Sequence, residues 1–369
     1  MNVFFCQHCG ERLFFENTFC ISCNHTLGFL PDQLQISVLK PVAGGQWSSL
    51  IPGAENLLYR KCRNYEVENA CNWMIPADDP QVFCISCSLN QVIPDLSAPG
   101  NRESWVKMEA AKRRLVYSLL KLGLPVIPKT ADAMNGLAFA FLADPATPMS
   151  ESERILTGHM DGIITINLEE ADDAVREKTR LNMREVYRTL LGHFRHECAH
   201  YYWDLLVRAD PRIDEVRGMF GDERADYGAA LQNHYQAGPP ADWGARFVTP
   251  YAAAHPWEDW AETWSHYLHI MDTLESASAG GVEIRLKGEH RALQNPYGLG
   301  FPSIRENWHA LRFVINSLNR SMGMADPYPF ILSDAVTDKL AFIHQWIGRR
   351  PAPAASAAGG PPPVQQVLT

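Results

Sequence analysis

Long apolar runs and clusters of basic residues are both missing from this sequence of 369 residues. No apolar run reaches the roughly 18 residues that a membrane-spanning helix needs, so a membrane protein is not expected. Lysine and arginine number 33 against 42 acidic residues, and the net charge is −9. Because nonspecific nucleic-acid binding depends on clustered positive charge, nucleic acid is not an expected partner either. The chain does not open with a basic stretch and an apolar run, and we therefore expect a cytoplasmic protein.

Cysteine is nearly absent after residue 87, where only Cys198 remains. The other eight cysteines fall in the first 87 residues, and six of them form Cys-x2-Cys pairs. The eight are Cys6, Cys9, Cys20, Cys23, Cys62, Cys71, Cys84 and Cys87. In a protein that we expect to reside in a reducing compartment, such pairs indicate metal binding rather than disulfides.

The first four cysteines form two pairs separated by ten residues, a spacing typical of a zinc ribbon. Four thiolates suit zinc or iron, and the spacing leaves iron open as the alternative. Residues 83–87 repeat the FCISC sequence of residues 19–23. The repeat predicts a second four-cysteine site, made by the cysteines from Cys62 to Cys87.

The sequence pattern predicts four segments. They are a first zinc ribbon over residues 1–30, a second four-cysteine zinc-binding unit of short strands over 31–100, a large domain over 101–350 and a disordered tail over 351–369. Within the large domain, apolar spacing predicts helices over 103–122, 304–322 and 334–346, one opening at 222, and one beginning at Pro256. Strands are expected over 136–142 and 162–168. These elements together predict an α+β chain.

The central motif of the large domain is His196-Glu197-x-x-His200, in a segment with helical apolar spacing. Residues four apart lie above one another on a helix, so both imidazoles can bind one zinc ion. Glu197 projects from the edge of that face, where it can take a proton from a water that the metal activates. Cys198 lies on the opposite side, and we interpret it as a core thiol.

A catalytic zinc takes three protein ligands and leaves one position for water. We choose Glu258 as the third ligand because it lies near the start of a helix that buries one face. Glu262 is one turn further along the same side and could accept the second ring N–H of a zinc-bound histidine. Helical spacing alone does not separate these two residues, and Glu223 is a further candidate.

The motif, with a glutamate on a second helix 58 positions after His200 and an acid four residues later, resembles the gluzincin metallopeptidases. The spacing is similar to that of the Mlc titration factor peptidases. In those enzymes a tyrosine shortly precedes the glutamate ligand, and Tyr251 stands at that position. The resemblance implies that Tyr251 donates a hydrogen bond to the oxyanion of the transition state.

The whole chain to about residue 348 resembles a bacterial family of zinc-ribbon metallopeptidases. The resemblance rests on the paired cysteines and on the segments HFRHECAH, FGDERADY, HPWEDWAE and NRSMG-x-x-DPYPF. It implies a zincin-like core. The ligand sets in the sequence predict one catalytic and two structural zinc ions, and we expect a peptide or protein substrate. We expect a zinc metallopeptidase; the alternative is a scaffold that binds a protein partner through its zinc ribbons. The intact Glu197 disfavours the alternative, since a scaffold does not need a base.

Overall fold

The computed structural model describes residues 2–144, 155–182 and 188–349, together with the backbone of 366–367. Two compact units divide the chain: Met1–Arg176 with Pro353–Thr369, and Glu177–Ala352. The sequence pattern places a domain boundary near residue 100, between the second zinc-binding unit and the large domain. This boundary stays a prediction. The predicted disordered tail lies outside the described residues except at 366–367. Among the described residues, no helix combines the length and apolar character needed to cross a membrane.

The first unit begins with small antiparallel strands, as the turn-rich sequence before residue 60 predicts. The strands and one short helix are β1 (Phe4–Phe5), β2 (Arg12–Leu13), β3 (Leu27–Leu30), β4 (Gln35–Val42), β5 (Gln46–Ser49), β6 (Leu58–Lys61), α1 (Arg63–Glu66) and β7 (Met74–Pro76). Strands β1 and β2 pair with each other, and β3 to β7 form an antiparallel sheet in chain order.

A second sheet and a long helix complete this unit. The elements are β8 (Asn90–Ile93), α2 (Asn101–Lys121), β9 (Ala138–Leu142), β10 (Gly158–Met160) and β11 (Ile163–Asn167). The sheet order is β10-β11-β9-β8, and the backbone of Gln366–Val367 pairs with β8. Strands β8, β9 and β11 are parallel, whereas β10 is antiparallel to β11. The helix and both strands predicted in this region are therefore present.

An aromatic cluster joins the N-terminal strands to helix α2. The rings of Phe29 and Trp73 lie 4.6 Å apart, and Phe15 lies 5.0 Å from Phe29. Tyr117 of α2 contacts the same two phenylalanines at 5.5 and 5.9 Å between ring centroids. Aromatic pairs at these distances bury large apolar area. The first hundred residues and α2 consequently share one core.

The second unit is mainly helical. Its elements are α4 (Leu190–Leu206), α5 (Ile213–Phe220), α6 (Tyr227–Ala237), α7 (Pro256–Ala279), β12 (Glu283–Leu286), β13 (Glu289–Ala292), α8 (Phe301–Ser321) and α9 (Asp334–Gly348), after α3 (Asp173–Asn182), which spans the division between the units. Strands β12 and β13 form an antiparallel hairpin. This mixture of helices and sheets confirms the predicted α+β class.

Helices α4 and α7 pack against each other along an aromatic seam. Trp203 and Trp260 lie 5.3 Å apart edge to face, and Tyr202 stacks on Trp264 at the same distance. The indole N–H of Trp260 also donates to the backbone oxygen of Ala199 at 3.1 Å. These contacts fix the motif helix against the helix that carries Glu258.

The start of α6 differs from the prediction. The predicted helix opens at residue 222, but α6 begins at Tyr227, with Asp226 accepting a hydrogen bond from the backbone N–H of Ala229 at 3.0 Å. Asp222 instead pairs with Arg224 at 2.7 Å. Aspartate side chains that bind nearby backbone favour caps and turns over helix interiors, and this preference delays the helix by five residues.

Candidate functional site

The first cluster of cysteines lies at the N-terminal strands. Sulfur atoms of Cys6 and Cys23 are 3.6 Å apart, as are those of Cys9 and Cys20. Ligands at about 2.3 Å from a tetrahedral zinc lie about 3.8 Å from one another, so four thiolates fit such an ion. Cys9 is exposed and Cys23 is half-buried, and water therefore reaches this cluster.

The second cluster gathers Cys62, Cys71, Cys84 and Cys87, whose ligand atoms all lie within 4.8 Å of one another. Sulfur atoms of Cys71 and Cys84 are 3.8 Å apart, which again fits a tetrahedral zinc. The backbone N–H of Cys84 donates to Cys62 Sγ at 3.4 Å, and that of Trp73 donates to Cys71 Sγ at 3.3 Å. All four cysteines are buried. The structure thus brings together both predicted sets of four.

Helix α4 brings His196 and His200 together because it carries them one turn apart. Thr189 caps the helix, its hydroxyl accepting the N–H of Gly192 at 3.1 Å. The two Nε2 atoms are 3.3 Å apart. Cys198 is fully buried, and burial raises the pKa of its thiol. The geometry therefore agrees with the helical-face interpretation of the motif.

Helix α7 supplies both acids to the same imidazole. Glu258 Oε2 lies 3.1 Å from Nε2 of His196, and Glu258 Oε1 lies 3.7 Å from Nε2 of His200. Glu262 Oε1 lies 2.7 Å from the other ring nitrogen of His196, Nδ1. The two acids, which the sequence pattern left unseparated, thus face different edges of one ring.

The three inner groups fit a zinc ion. Since the carboxylate of Glu262 lies at Nδ1 of His196, a metal-bound His196 would keep its N–H on Nδ1 and present the Nε2 lone pair to the ion. That lone pair faces Nε2 of His200 and Oε2 of Glu258, a buried oxygen with no hydrogen bond in the described part of the chain. Tetrahedral ligands at about 2.05 Å from zinc lie about 3.3 Å apart, close to the 3.3 and 3.1 Å found here. A cation between these acceptors would relieve their repulsion.

The electrostatics of the cluster keep its acids ionised. Burial alone would raise the pKa of the Glu258 carboxyl, but the neighbouring His196 and His200 lower it to about 2. Burial also opposes charge on His200 and lowers its pKa to about 4. Burial lowers the pKa of His196 too, but its contacts with Glu258 and Glu262 outweigh burial and raise that pKa well above its usual range. A metal ion would displace this proton, because a carboxylate and a neutral imidazole are the forms that bind metal.

Glu223, the further candidate for third ligand, lies elsewhere. Its carboxylate binds the guanidinium of Arg217 through two hydrogen bonds, at 2.7 and 3.0 Å. The hydrogen bonds from Arg217 lower its pKa. Glu223 is absent from the group formed by His196, His200 and Glu258. The Glu223 carboxylate therefore forms an ion pair with Arg217 and lies outside the candidate metal site.

Glu197 and Tyr251 both lie close to the cluster. Glu197 is buried, with 8% of its surface exposed. The ring of Tyr251 lies 6.0 Å from that of His196. Burial, followed by the charges of Glu258 and Glu197 among others, raises the pKa of Tyr251, which keeps this phenol protonated at neutral pH. A protonated phenol beside a carboxylate base is a suitable hydrogen-bond donor.

Tyr227, at the first turn of α6, is a site residue that the sequence analysis missed. Its hydroxyl donates to Glu258 Oε1 at 2.7 Å. Burial, followed by the charge of Glu258, raises the pKa of Tyr227, and the nearby Tyr251 opposes this shift. Tyr227 therefore contacts the candidate third ligand directly.

The beginning of α7 is held by the segment that precedes α6. His255 caps the helix by accepting the N–H of Trp257 at 3.1 Å, and its other ring nitrogen lies 3.1 Å from the backbone oxygen of Ala225. Gly221 has a φ of 104°, and a Cβ atom there would lie 3.1 Å from the Pro256 ring. The segment FGDERADY therefore packs close to the helix that carries Glu258. Tyr227 is the last residue of this motif segment, and the motif is the sequence signal that could have drawn attention to it.

Comparisons with known proteins agree with these observations. A family model described as "Putative zinc-binding metallo-peptidase" matches residues 101–346, and a zinc-ribbon domain model matches residues 3–98. One uncharacterized protein of Mycobacterium bovis and two of Mycobacterium tuberculosis are each 39% identical over 345 residues, covering 93% of this chain and 94% of the relative. No solved structure matches the chain.

These matches confirm the resemblance drawn from the cysteine pairs and the helical motif. The zinc-ribbon match covers both four-cysteine clusters, and the peptidase match covers the histidine and glutamate cluster. Zinc binding is thereby supported for the chain. The chain belongs to the zinc-binding metallo-peptidase family, with a zinc-ribbon domain ahead of the family region.

Proposed function

We propose that this protein is a zinc-dependent peptidase that cleaves peptide bonds with a water molecule. The observation that carries the proposal is the convergence of His196, His200 and Glu258 on one point, with Glu262 on the far nitrogen of His196. Three ligands with an outer acid are typical of a catalytic zinc, which keeps a position for water or substrate. When bound, the ion supplies a Lewis acid that lowers the pKa of water toward neutrality.

The residues around the cluster can carry out separate steps of the hydrolysis. Glu197 would take a proton from the attacking water as the new C–O bond forms. The same carboxyl would then give that proton to the leaving amine as the C–N bond breaks. Tyr251 would donate to the oxyanion on the carbonyl oxygen.

The proposal includes a count of three zinc ions for each chain, one catalytic and two structural. Support comes from the three ligand groups, two with four cysteines and one with two histidines and a glutamate. Elemental analysis of protein purified without added metal should find close to three equivalents. A value near one would remove the assignment of the cysteine clusters, and iron in place of zinc would revise their chemistry.

Digestion of a peptide library by the purified protein tests the activity, with and without a zinc chelator. We expect cleavage that the chelator abolishes and that added zinc restores. The matched control is Glu197→Gln, which keeps the shape of the side chain but takes no proton. This variant should retain the catalytic zinc and lose turnover. Undiminished cleavage by Glu197→Gln would overturn the mechanism.

Absence of cleavage across diverse peptides would favour the alternative, a scaffold that binds a protein partner through its zinc ribbon. One observation favours a partner there: apolar side chains around the first cysteine cluster point to solvent. The most exposed are Phe14 at 79% and Ile21 at 73%. Exposed apolar surface of this kind marks interaction sites. The expected cytoplasmic location also stays a proposal, consistent with nine cysteines that form no disulfide.

A further inference from the structure

Helix α2 places three charged side chains in the interior beside the second cysteine cluster. Glu109 and Lys112 are fully buried, and Arg113 is 5% exposed. Ionised residues are almost never buried unless a partner compensates their charge. Neither the family descriptions nor the proposed hydrolysis gives these three residues a role.

Arg113 reaches the loop that carries one of the cysteines. Its guanidinium donates to the backbone oxygen of Ala70, the residue before Cys71. Its Nε is buried and has no hydrogen-bond partner among the described residues. Burial opposes the charge of Arg113, but the nearby cysteines and Glu109 raise its pKa. The guanidinium therefore lies beside the segment that carries Cys71.

Glu109 makes a second contact with the cluster and pairs with Lys112. Lys112 Nζ lies 2.8 Å from Glu109 Oε1, which also accepts a hydrogen bond from Asn90 at 2.8 Å. The other oxygen of Glu109 lies 3.7 Å from Cys87 Sγ. Lys112 thus balances Glu109, and Arg113 is left as the uncompensated positive charge.

The charge balance of the cluster explains why such an arginine is needed. Four thiolates around one Zn²⁺ carry a net charge of −2 by formal count. At the first cluster, water can solvate that charge because Cys9 is exposed. At the second, all four cysteines are at most 2% exposed, so protein groups must replace water. Two cations and one carboxylate from α2 contribute a net +1.

We propose that Arg113 is the charge-compensating residue of the second four-cysteine centre, and that helix α2 is therefore part of this metal site. The family region begins with α2, so metal held by the N-terminal cysteines would also fix the first helix of that region. The proposal requires metal at the second cluster but does not depend on peptidase activity.

Two substitutions test the role of the charge. Arg113→Lys keeps the positive charge, whereas Arg113→Gln removes the charge and keeps a polar side chain with an N–H donor. Arg114→Gln is the matched control, because Arg114 is 41% exposed in its side chain and pairs with Glu16. All three are made in the full chain carrying Cys9→Ser and Glu258→Ala, so that only the second cluster should retain zinc.

The measurement is zinc affinity by competition with a chromophoric chelator. We expect Arg113→Gln to bind zinc about 10-fold to 100-fold more weakly, the usual cost of losing an outer-shell partner. Arg113→Lys should stay within about threefold of the parent, and Arg114→Gln should match it. Equal affinity in Arg113→Gln and its parent would overturn the proposal. So would a loss in Arg113→Lys as large as in Arg113→Gln, or a parent without zinc. If Arg113→Gln does not fold, a loss of about 10-fold or more in Arg113→Lys, which keeps the positive charge, overturns the proposal, and affinity within about threefold of the parent supports it.

Discussion

The cysteine clusters of the first unit and the histidine and glutamate cluster of the second are assembled in different ways. Each Cys-x2-Cys pair offers two candidate ligands from one turn, and four sulfur atoms would close the coordination sphere of a zinc ion. In the second unit, two candidate ligands come from α4 and the third from α7, 58 positions after His200. Three such ligands would leave one position open. The closed arrangement suits stabilisation, and the open one suits chemistry.

The difference also determines what each centre should tolerate. Binding of zinc by cysteine clusters is coupled to folding, because the ligands are not preassembled in the unfolded chain. The helices of the second unit are instead held by their own aromatic seam between α4 and α7. We therefore expect loss of the first unit's metals to unfold structure, and loss of the second unit's metal to leave it folded.

The largest expected effect is that of Cys84→Ser. It removes one ligand from a buried cluster, and the zinc binding energy at stake is about 10–16 kcal/mol, which matches or exceeds the 5–15 kcal/mol that stabilise a typical domain. The first unit should lose its cooperative thermal transition, and the protein should contain one zinc less. Cys9→Ser, at the exposed cluster, is the comparison: it should also lose one zinc with a smaller loss of stability. Retention of all three metals by Cys84→Ser would contradict the assignment of Cys84 as a zinc ligand of the second cluster.

The next effect is that of Glu258→Ala. It removes a negative ligand and one metal bond, and we expect the zinc of the second unit to be lost outright while both cysteine clusters stay filled. Metal analysis of the purified variant measures both the lost zinc and the filled cysteine clusters. Circular dichroism shows whether the variant stays folded. Glu223→Ala is the control, since that carboxylate binds Arg217. Loss of zinc from Glu223→Ala instead would move the third ligand there.

Glu262→Ala should have a smaller effect. Its carboxylate orients His196 through Nδ1 without facing the other ligands, and loss of such a partner usually costs about 10-fold to 100-fold in metal affinity. The variant should keep zinc after purification but release it to a weaker chelator than the native protein does. If Glu262→Ala loses zinc completely and Glu258→Ala keeps it, the roles of the two acids are reversed.

The smallest effect should be that of Tyr227→Phe. The hydroxyl donates one hydrogen bond to Glu258, and a hydrogen bond to a charged group contributes about 1.5 kcal/mol, or roughly tenfold in affinity. Chelator competition on the intact protein measures the change. Tyr251→Phe removes the proposed donor to the oxyanion and should leave zinc affinity unchanged while lowering kcat by about 100-fold. Equal zinc affinity in Tyr227→Phe and the native protein would show that this hydrogen bond does not support the ligand.

Much of the helical structure could be predicted because local signals determine it. Pro256 marks the first residue of α7, and the strands predicted over 136–142 and 162–168 correspond to β9 and β11. Proline fits the first turn of a helix, and apolar runs indicate buried strands. The pairing of β9 with β8 and β11 could not be predicted, because partners in a parallel sheet are set by distant segments.

The charged interior of α2 is the clearest limit of the sequence pattern. Glu109, Lys112 and Arg113 follow helical spacing typical of a solvent-exposed face, yet they are buried. Their burial depends on a cysteine cluster formed by residues at least 22 positions away. No local propensity contains that information, since charged side chains are normally exposed.

The site was predictable in part for the same reason. His196 and His200 follow from spacing within one helix, whereas the contact of Tyr227 with Glu258 joins residues 31 positions apart. The choice between Glu258 and Glu262 depends on which ring nitrogen each one faces. That distinction requires coordinates, because both residues lie on one side of α7. The catalytic roles of these residues stay predictions until the variants are measured.

Helix α6 contains no buried residue, and this has a consequence on the timescale of local motion. Segments with few buried contacts open at a low free-energy cost, well before the whole unit unfolds. We therefore expect the amide hydrogens of α6 to exchange with solvent much faster than those of α4 and α7. Each opening would break the hydrogen bond from Tyr227, so the carboxylate of Glu258 would alternate between a held and a released state at the opening rate of this one helix.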